Sequence, residues 1–295
     1  MARQFKSASA FKTSLETRLK ALAEQRGVPL HTLRLKVVIE RLLARLFHGP
    51  SPVWLLKGGF ALELRYRPRA RTTKDVDLSV GLGAASREQE RGPERLRERL
   101  QEAAEVDLGD YLEFRIGAAQ AELAAAPLGG ARFPCEAVLA GKSYAKFHID
   151  VGCGDALVGQ PEVLTGEGLL EFAGVEAARV FAIPRPQQFA EKVHAYTFPW
   201  RDRTNTRSKD LVDLVLLIEM GPPEPVQVRA ALEATFATRN THALPVLLPP
   251  PPEAWRADFA AMAAEALLST NDYLEGFAIL QQFWGVLGVI RPQYP

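Results

Sequence analysis

Apolar residues near the start of the chain recur at helical spacing. Phe11, Leu15, Leu19 and Leu22 form one series, and Leu33, Val37, Val38, Leu42, Leu46 and Phe47 form a second, so the pattern predicts an opening pair of helices. The run His48-Gly49-Pro50-Ser51-Pro52 breaks that period. Beyond it, Val53-Trp54-Leu55-Leu56 reads as a short buried strand entering Gly58-Gly59, and Phe60 to Tyr66 as a short helix. In Asp75-Val76-Asp77-Leu78-Ser79-Val80, polar and apolar residues alternate with period two, which predicts a strand carrying Asp75 and Asp77 on one face.

Pro93 to Val106 carries a charged helical pattern. Tyr111 to Ala118, Arg132 to Leu139 and Tyr144 to Val151 read as strands, the last two joined by a turn at Gly141-Lys142. From Gln187 onward the pattern is helical, over 187–197, 208–220, 226–239, 253–268 and 273–286, with Pro249 to Pro252 as a polyproline spacer. The expected fold class is α/β (α+β). Residues 51–184 would form a mixed-sheet core, 1–50 an N-terminal helical segment and 185–295 a helical C-terminal domain.

Composition narrows the functional classes. Of 295 residues, 47% are hydrophobic and 24% charged, enough apolar material for a substantial core, which excludes global disorder. The 36 Lys and Arg nearly balance 35 Asp and Glu, so any attraction to nucleic acid must come from local clusters. Two such clusters exist: Arg65, Arg67, Arg69, Arg71 and Lys74 before the acidic strand, and Arg201, Arg203, Arg207 and Lys209 further on. Tyr66, Tyr196, Phe198 and Trp200 are interleaved with them, a composition suited to a single-stranded nucleic-acid end, although a solvated surface would read the same way. Cys135 and Cys153 are too few for a zinc tetrad and are expected as packed thiols. The uncharged stretch Gly276 to Ile290 is too short and too interrupted to span a bilayer, and the N-terminus lacks the apolar middle of a secretory signal. The expectation is a cytoplasmic protein with no membrane partner.

Three constellations carry candidate chemistry. The first joins Gly58-Gly59 to Asp75 and Asp77: glycines let backbone N–H groups approach phosphates, and paired acids invite a cation. Two carboxylates about 4 Å apart repel by roughly 4 kcal/mol at an effective dielectric near 20, and Mg²⁺, which bridges carboxylates to nucleotide phosphates, is the natural neutraliser. The second is Phe147 to Asp155, where a strand delivers Asp150 as a third carboxylate, able to accept a hydroxyl proton or hold a second metal, or else merely to shape a turn. The third places Lys192 on one helix and Asp210 and Asp213 on the next. Lys192 could snorkel, or grip a triphosphate as a point charge. The two acids could cap the helix, pair with arginines or enter a polar site.

Together these residues resemble the AbiEii-like nucleotidyltransferase toxins of the DNA-polymerase-β-like superfamily. Leu56-Lys57-Gly58-Gly59-Phe60-Ala61-Leu62 with Arg71-Thr72-Thr73-Lys74-Asp75-Val76-Asp77-Leu78 is similar to that family's first motif, and Ile149 to Asp155 to its second. Lys192 matches the third motif, and Arg207 to Leu214 is similar to the fourth. The resemblance implies a nucleotidyltransferase-like sheet core and Mg²⁺-dependent transfer of a nucleotide from an NTP. In that reading Asp75 and Asp77 are metal ligands, Asp75, Asp77, Lys192 and Asp210 are catalytic, and Lys57, Gly58, Gly59, Arg71 and Asp150 bind nucleotide. It further implies the 3′ end of tRNA as acceptor and a cognate antitoxin encoded nearby; the basic clusters supply Arg65, Arg67, Arg69, Arg201, Arg203 and Arg207 as candidate RNA contacts. Phe60 departs from the small hydroxyl residue common at that place, which leaves phosphate contacts there to the backbone. The alternatives are a small-molecule nucleotidyltransferase, a phosphotransferase acting on a protein hydroxyl, or a scaffold that only binds RNA or a partner.

Overall fold

The computed structural model describes residues 5–49, 53–80, 91–123, 126–200 and 205–288. The chain divides into two compact units, one of Met1–Phe60, Thr73–Gly154 and Val163–Ala182, the other of Ala61–Thr72, Asp155–Glu162 and Ile183–Pro295. The fold is mixed α/β, as the hydrophobic pattern implies.

The first unit opens with α1 (Ala8–Arg26) and α2 (Leu30–Leu46), which share a unit with the strands that follow. Those strands are β1 (Trp54–Lys57), β2 (Asp75–Val80), β3 (Leu112–Ile116), β4 (Ala121–Glu122), β5 (Gly130–Leu139), β6 (Lys142–Cys153), β7 (Glu162–Thr165) and β8 (Arg179–Ala182). They make a mixed sheet in the order β3-β5-β6-β2-β1-β8-β7, with β4 on β5. β2 runs parallel to β6 and β1 parallel to β8, while β1–β2, β3–β5 and β5–β6 are antiparallel. Alternation along the strands buries one face: Val76, Leu78, Phe133, Ile149 and Val151 are all fully buried. Helix α2 packs on β6 and β8, and α4 (Pro93–Ala104) on β3 and β5. The β5–β6 turn is Ala140-Gly141, both at positive φ (53° and 72°) as a two-residue hairpin requires, which moves the expected turn one residue back. Cys135 and Cys153 are buried free thiols, and burial pushes the Cys135 thiol up to about 12.

A buried ion cluster pins α2 to the loop before β3. Asp110, fully buried, accepts Arg41 Nε at 2.7 Å and Arg45 Nη2 at 2.6 Å. Such a cluster adds little net stability, but losing one partner strands a buried charge.

The second unit is built from α5 (Arg185–Thr197), α6 (Ser208–Glu219), α7 (Pro225–Arg239), α8 (Arg256–Glu265) and α9 (Tyr273–Leu287), with the last part of α3 (Gly58–Tyr66) contributing Leu62 and Tyr66. Phe189, Leu214, Leu232, Phe259 and Leu280 form the centre of its core. The expected helix over 253–268 is a 3-10 turn, Glu253–Trp255, followed by α8, and Leu267 at φ 50° marks where the chain leaves helical geometry. Pro252 holds polyproline geometry (φ −60°, ψ 144°), and Tyr196 Oη donates to the Pro249 carbonyl at 2.6 Å.

His194 on α5 is 2% exposed, its Nε2 2.8 Å from Thr241 Oγ1 and its Nδ1 3.4 Å from Arg239 Nη1. A guanidinium only donates, so Nδ1 carries the lone pair and Nε2 the proton. Burial, then Arg239 and the His242 ring, push the imidazole down to about 3. The folded state therefore refuses a proton that the unfolded chain accepts near pH 6.5. Stability is complete above that pH and falls as pH drops toward 3. Denaturant unfolding is expected to show a loss of about 2 kcal/mol between pH 7 and pH 5 from this residue, and His194→Gln to flatten that slope.

Candidate active site

In the first unit, β1 ends at Lys57 and α3 begins at Gly58 with no linker. Gly58 sits at φ +67°, and a Cβ there would overlap the Asp77 carboxylate. Only glycine permits both the turn and the acid beside it. The first backbone N–H groups of α3 have no partner within the helix itself, as at every helix start, while the Phe60 ring is 1% exposed and anchors that turn in the core.

Strand register assembles the charged residues. Lys57 on β1 pairs with Asp77 on β2, Asp77 with Asp150 on β6, and Asp150 with Arg132 on β5. Directly opposed residues share a face, so Lys57, Asp77, Asp150 and Arg132 form one row across four strands, opposite the buried apolar face. The neighbouring row sets Asp75 against His148. Arg132 donates from Nε and Nη2 to the two oxygens of Asp150 at 2.7 and 2.6 Å, and its Nη2 lies 3.7 Å from Asp75 Oδ2. His148 Nδ1 lies 3.5 Å from Asp75 Oδ1. The hydrogen bonds that Arg132 donates to Asp150 hold its guanidinium above its ordinary pKa.

Asp75 and Asp77 fit a divalent cation such as Mg²⁺: both present hard oxygens on one face, and the side chain of Asp75 is 40% exposed. Among the described residues no group of three or more His, Cys, Asp or Glu could hold a metal. A cation on two carboxylates completes its shell with water and phosphate oxygens, which is the habit of Mg²⁺. Asp150 stands beside Asp77, but its carboxylate is taken up by Arg132, an arginine the sequence motifs do not contain.

In the second unit, Lys192, Asp210, Asp213 and Arg71 form a compact ion cluster. Lys192 Nζ donates to Asp210 Oδ1 at 2.9 Å and lies 2.7 Å from Asp213 Oδ2, while Arg71 donates from Nε and Nη2 to both Asp213 oxygens at 2.9 Å. Lys192 is 9% exposed, and Asp210 and Asp213 1% each. Burial opposes the charge on Lys192, but Asp210 and Asp213 outweigh it and raise the ammonium pKa. Burial likewise opposes the Asp213 charge, but Arg71 and Lys192 hold that carboxyl at about 2. Asp210 Oδ2 has no hydrogen-bond partner among the described residues, and Arg207 Nη1 is 3.7 Å away. Lys192 does not snorkel to water: its ammonium lies buried between Asp210 and Asp213.

The basic clusters divide. Arg65 is only 4% exposed, donates to Glu162 at 3.1 Å, and also reaches Gln188 and the Ile183 carbonyl, so it knits its own unit together rather than meeting RNA. Arg69 donates to Glu219 at 2.9 Å and to the Leu267 carbonyl at 2.7 Å. Arg67 is half-buried, and Arg201 and Arg203 lie outside the described residues. Tyr66 and Tyr196 belong to the core, which corrects their reading as stacking platforms. Phe198 and Trp200 remain half-buried, ring centroids 4.8 Å apart, with Arg207 over Trp200 at 5.6 Å.

A family model described as "Nucleotidyl transferase AbiEii toxin, Type IV TA system" matches residues 41–287. No curated protein matches the chain by sequence. Among solved structures, the fold is similar to MenT4, a nucleotidyltransferase toxin of Mycobacterium tuberculosis H37Rv, with a TM-score of 0.55 at 15% identity over 94% of this chain and 99% of that one. An H. pylori protein described as a nucleotidyltransferase superposes with a TM-score of 0.45 at 14% identity, over 88% of this chain and 96% of that one.

The second-unit cluster makes its own prediction. Lys192→Met leaves two buried carboxylates with only Arg71 on Asp213 and the more distant Arg207 on Asp210, and is expected to cost about 3–5 kcal/mol in denaturant unfolding, so activity of that variant has to be read against its folded fraction. An unchanged unfolding midpoint would contradict the cluster.

Proposed function

This chain belongs to the AbiEii family of nucleotidyl transferase toxins of type IV toxin–antitoxin systems, and we propose on that premise that it transfers a nucleoside monophosphate from an NTP to the 3′ end of tRNA. The observation that carries the reading is the pair Asp75 and Asp77 on β2, set beside the Gly58-Gly59 start of α3. Acids that can share a cation and backbone donors that can meet phosphate stand together there.

Asp75 and Asp77 would hold Mg²⁺. When bound, the cation neutralises triphosphate oxygens and the charge developing during transfer. Gly58 and Gly59 offer backbone N–H groups to the phosphates, and Lys57 adds a cation at the end of the charged row. The acceptor hydroxyl attacks the α-phosphorus, the bond from that phosphorus to the bridging oxygen breaks, pyrophosphate leaves, and the hydroxyl proton passes to solvent. No covalent enzyme intermediate is needed, because positioning and charge neutralisation supply the rate. On the motif resemblance, Lys192 and Asp210 are required for the same reaction, and their ion cluster fixes each in one position.

The tRNA acceptor rests on the resemblance, supported by Phe198, Trp200 and Arg207, which suit a stacked base and a phosphate. Added nucleotides would block aminoacylation and arrest growth. The reaction would take place in the cytoplasm, where NTPs and tRNA are plentiful, and the family's type IV systems supply an antitoxin as partner. No helix among the described residues is long and apolar enough to cross a membrane.

Incubation with each labelled NTP, Mg²⁺ and total tRNA is expected to label tRNA 3′ ends. EDTA should abolish the label, and Asp77→Asn should reduce it by about 100- to 1,000-fold or more. Label on a small molecule or on protein instead would replace the acceptor. Growth arrest that survives Asp77→Asn would overturn the enzymatic reading.

A further inference from the structure

Resting on that reading, in which phosphates lie beside Asp75 and Asp77, the sheet brings a further cation to the same face. Arg132 is 37% exposed, stands directly across the β5–β6 ladder from Asp150, and is gripped by it through two hydrogen bonds. The ladder is tight here: a Cβ at Gly130 would overlap the Val151 carbonyl, so glycine lets β5 close on β6. Of the five guanidinium donors Asp150 takes two, and the Nη2 end of the fork reaches toward Asp75.

We propose that Arg132 is a phosphate-binding residue of the nucleotide site, and that Asp150 is its positioning partner rather than a ligand of the divalent cation. Charge balance supports the division. One divalent cation answers Asp75 and Asp77, and Arg132 answers Asp150, so each carboxylate of the two rows has a counter-charge before the polyanionic nucleotide arrives. If Asp150 turned to the cation, it would release Arg132, whose remaining carboxylate neighbour, Asp75 at 3.7 Å, is itself committed to that cation, and the guanidinium would stand near a divalent metal without a carboxylate of its own. A fork held flat by a bidentate carboxylate is also pre-oriented for the paired oxygens of a phosphate, which a lysine cannot match. The reading revises the role of the second motif: its aspartate acts through an arginine 18 residues earlier in the chain.

Two binding measurements test it without turnover. The first is equilibrium dialysis of the full chain with ATP, GTP, CTP and UTP in turn, with Mg²⁺ and no RNA. For the nucleotide that the wild type retains, Arg132→Gln is expected to weaken binding by about tenfold or more, and Asp150→Asn by about three- to tenfold. Arg132→Lys keeps charge and strand but lacks the fork, and should still weaken binding by at least about threefold, which covers the case in which the glutamine variant fails to fold. The second is Mn²⁺ binding without nucleotide, followed by electron paramagnetic resonance: Asp77→Asn should lose it, while Arg132→Lys and Asp150→Asn retain it. Unchanged nucleotide binding in both arginine variants overturns the proposal. So does loss of Mn²⁺ in Asp150→Asn, because Asp150 would then be a metal ligand. A wild type that binds none of the four nucleotides overturns the nucleotidyl-transfer reading itself, and this proposal with it.

Discussion

The chemistry of the first unit depends on strand register. β2 lies parallel to β6 with Asp77 against Asp150, and the antiparallel neighbours bring Lys57 to one end of that row and Arg132 to the other. A slip of one residue would send every one of these side chains to the face occupied by Val76, Phe133 and Ile149. The hydrophobic core and the charged row are therefore two sides of one constraint: the apolar alternation that fixes the register also lines up the acids, and burial of the first enforces placement of the second.

The second unit solves a different electrostatic problem. Lys192, Asp210, Asp213 and Arg71 are mostly withdrawn from water, where an isolated charge is costly, and each cation meets a carboxylate there. A lysine in that position cannot wander as a surface lysine does. Asp210 keeps one carboxylate oxygen without a hydrogen bond among the described residues, in the first turn of α6, where the helix dipole favours negative charge. Both units thus concentrate charge in a protein whose formal net charge is +1, by compensating it locally.

What could be read from the sequence follows the range of the interactions involved. β2 is legible to the residue because its alternation is local, and with it the common face of Asp75 and Asp77. β7 and β8 are four residues each and go unread, whereas β1, equally short, is marked by the apolar run Trp54-Leu55-Leu56 ahead of Gly58-Gly59. The Arg132–Asp150 fork is invisible because it depends on hairpin register, and nothing local marks Arg132 as different from other arginines. Arg65, Tyr66 and Tyr196 are misread for the opposite reason: composition shows a basic, aromatic stretch, and only packing reveals that these side chains point into their own unit. The status of Lys192 is decided by α6, a helix later in the chain, so its neighbours on α5 could not settle it.

The most direct test of the central claim is a crystal structure with Mn²⁺ and a non-hydrolysable nucleoside triphosphate, in which the metal is located by its anomalous signal. The account predicts a metal bound by carboxylate oxygens of Asp75 and Asp77 at about 2.1 Å, with phosphates toward the start of α3 and Asp150 still paired with Arg132. A metal coordinated by Asp150, or one bound away from Asp75 and Asp77, would contradict it.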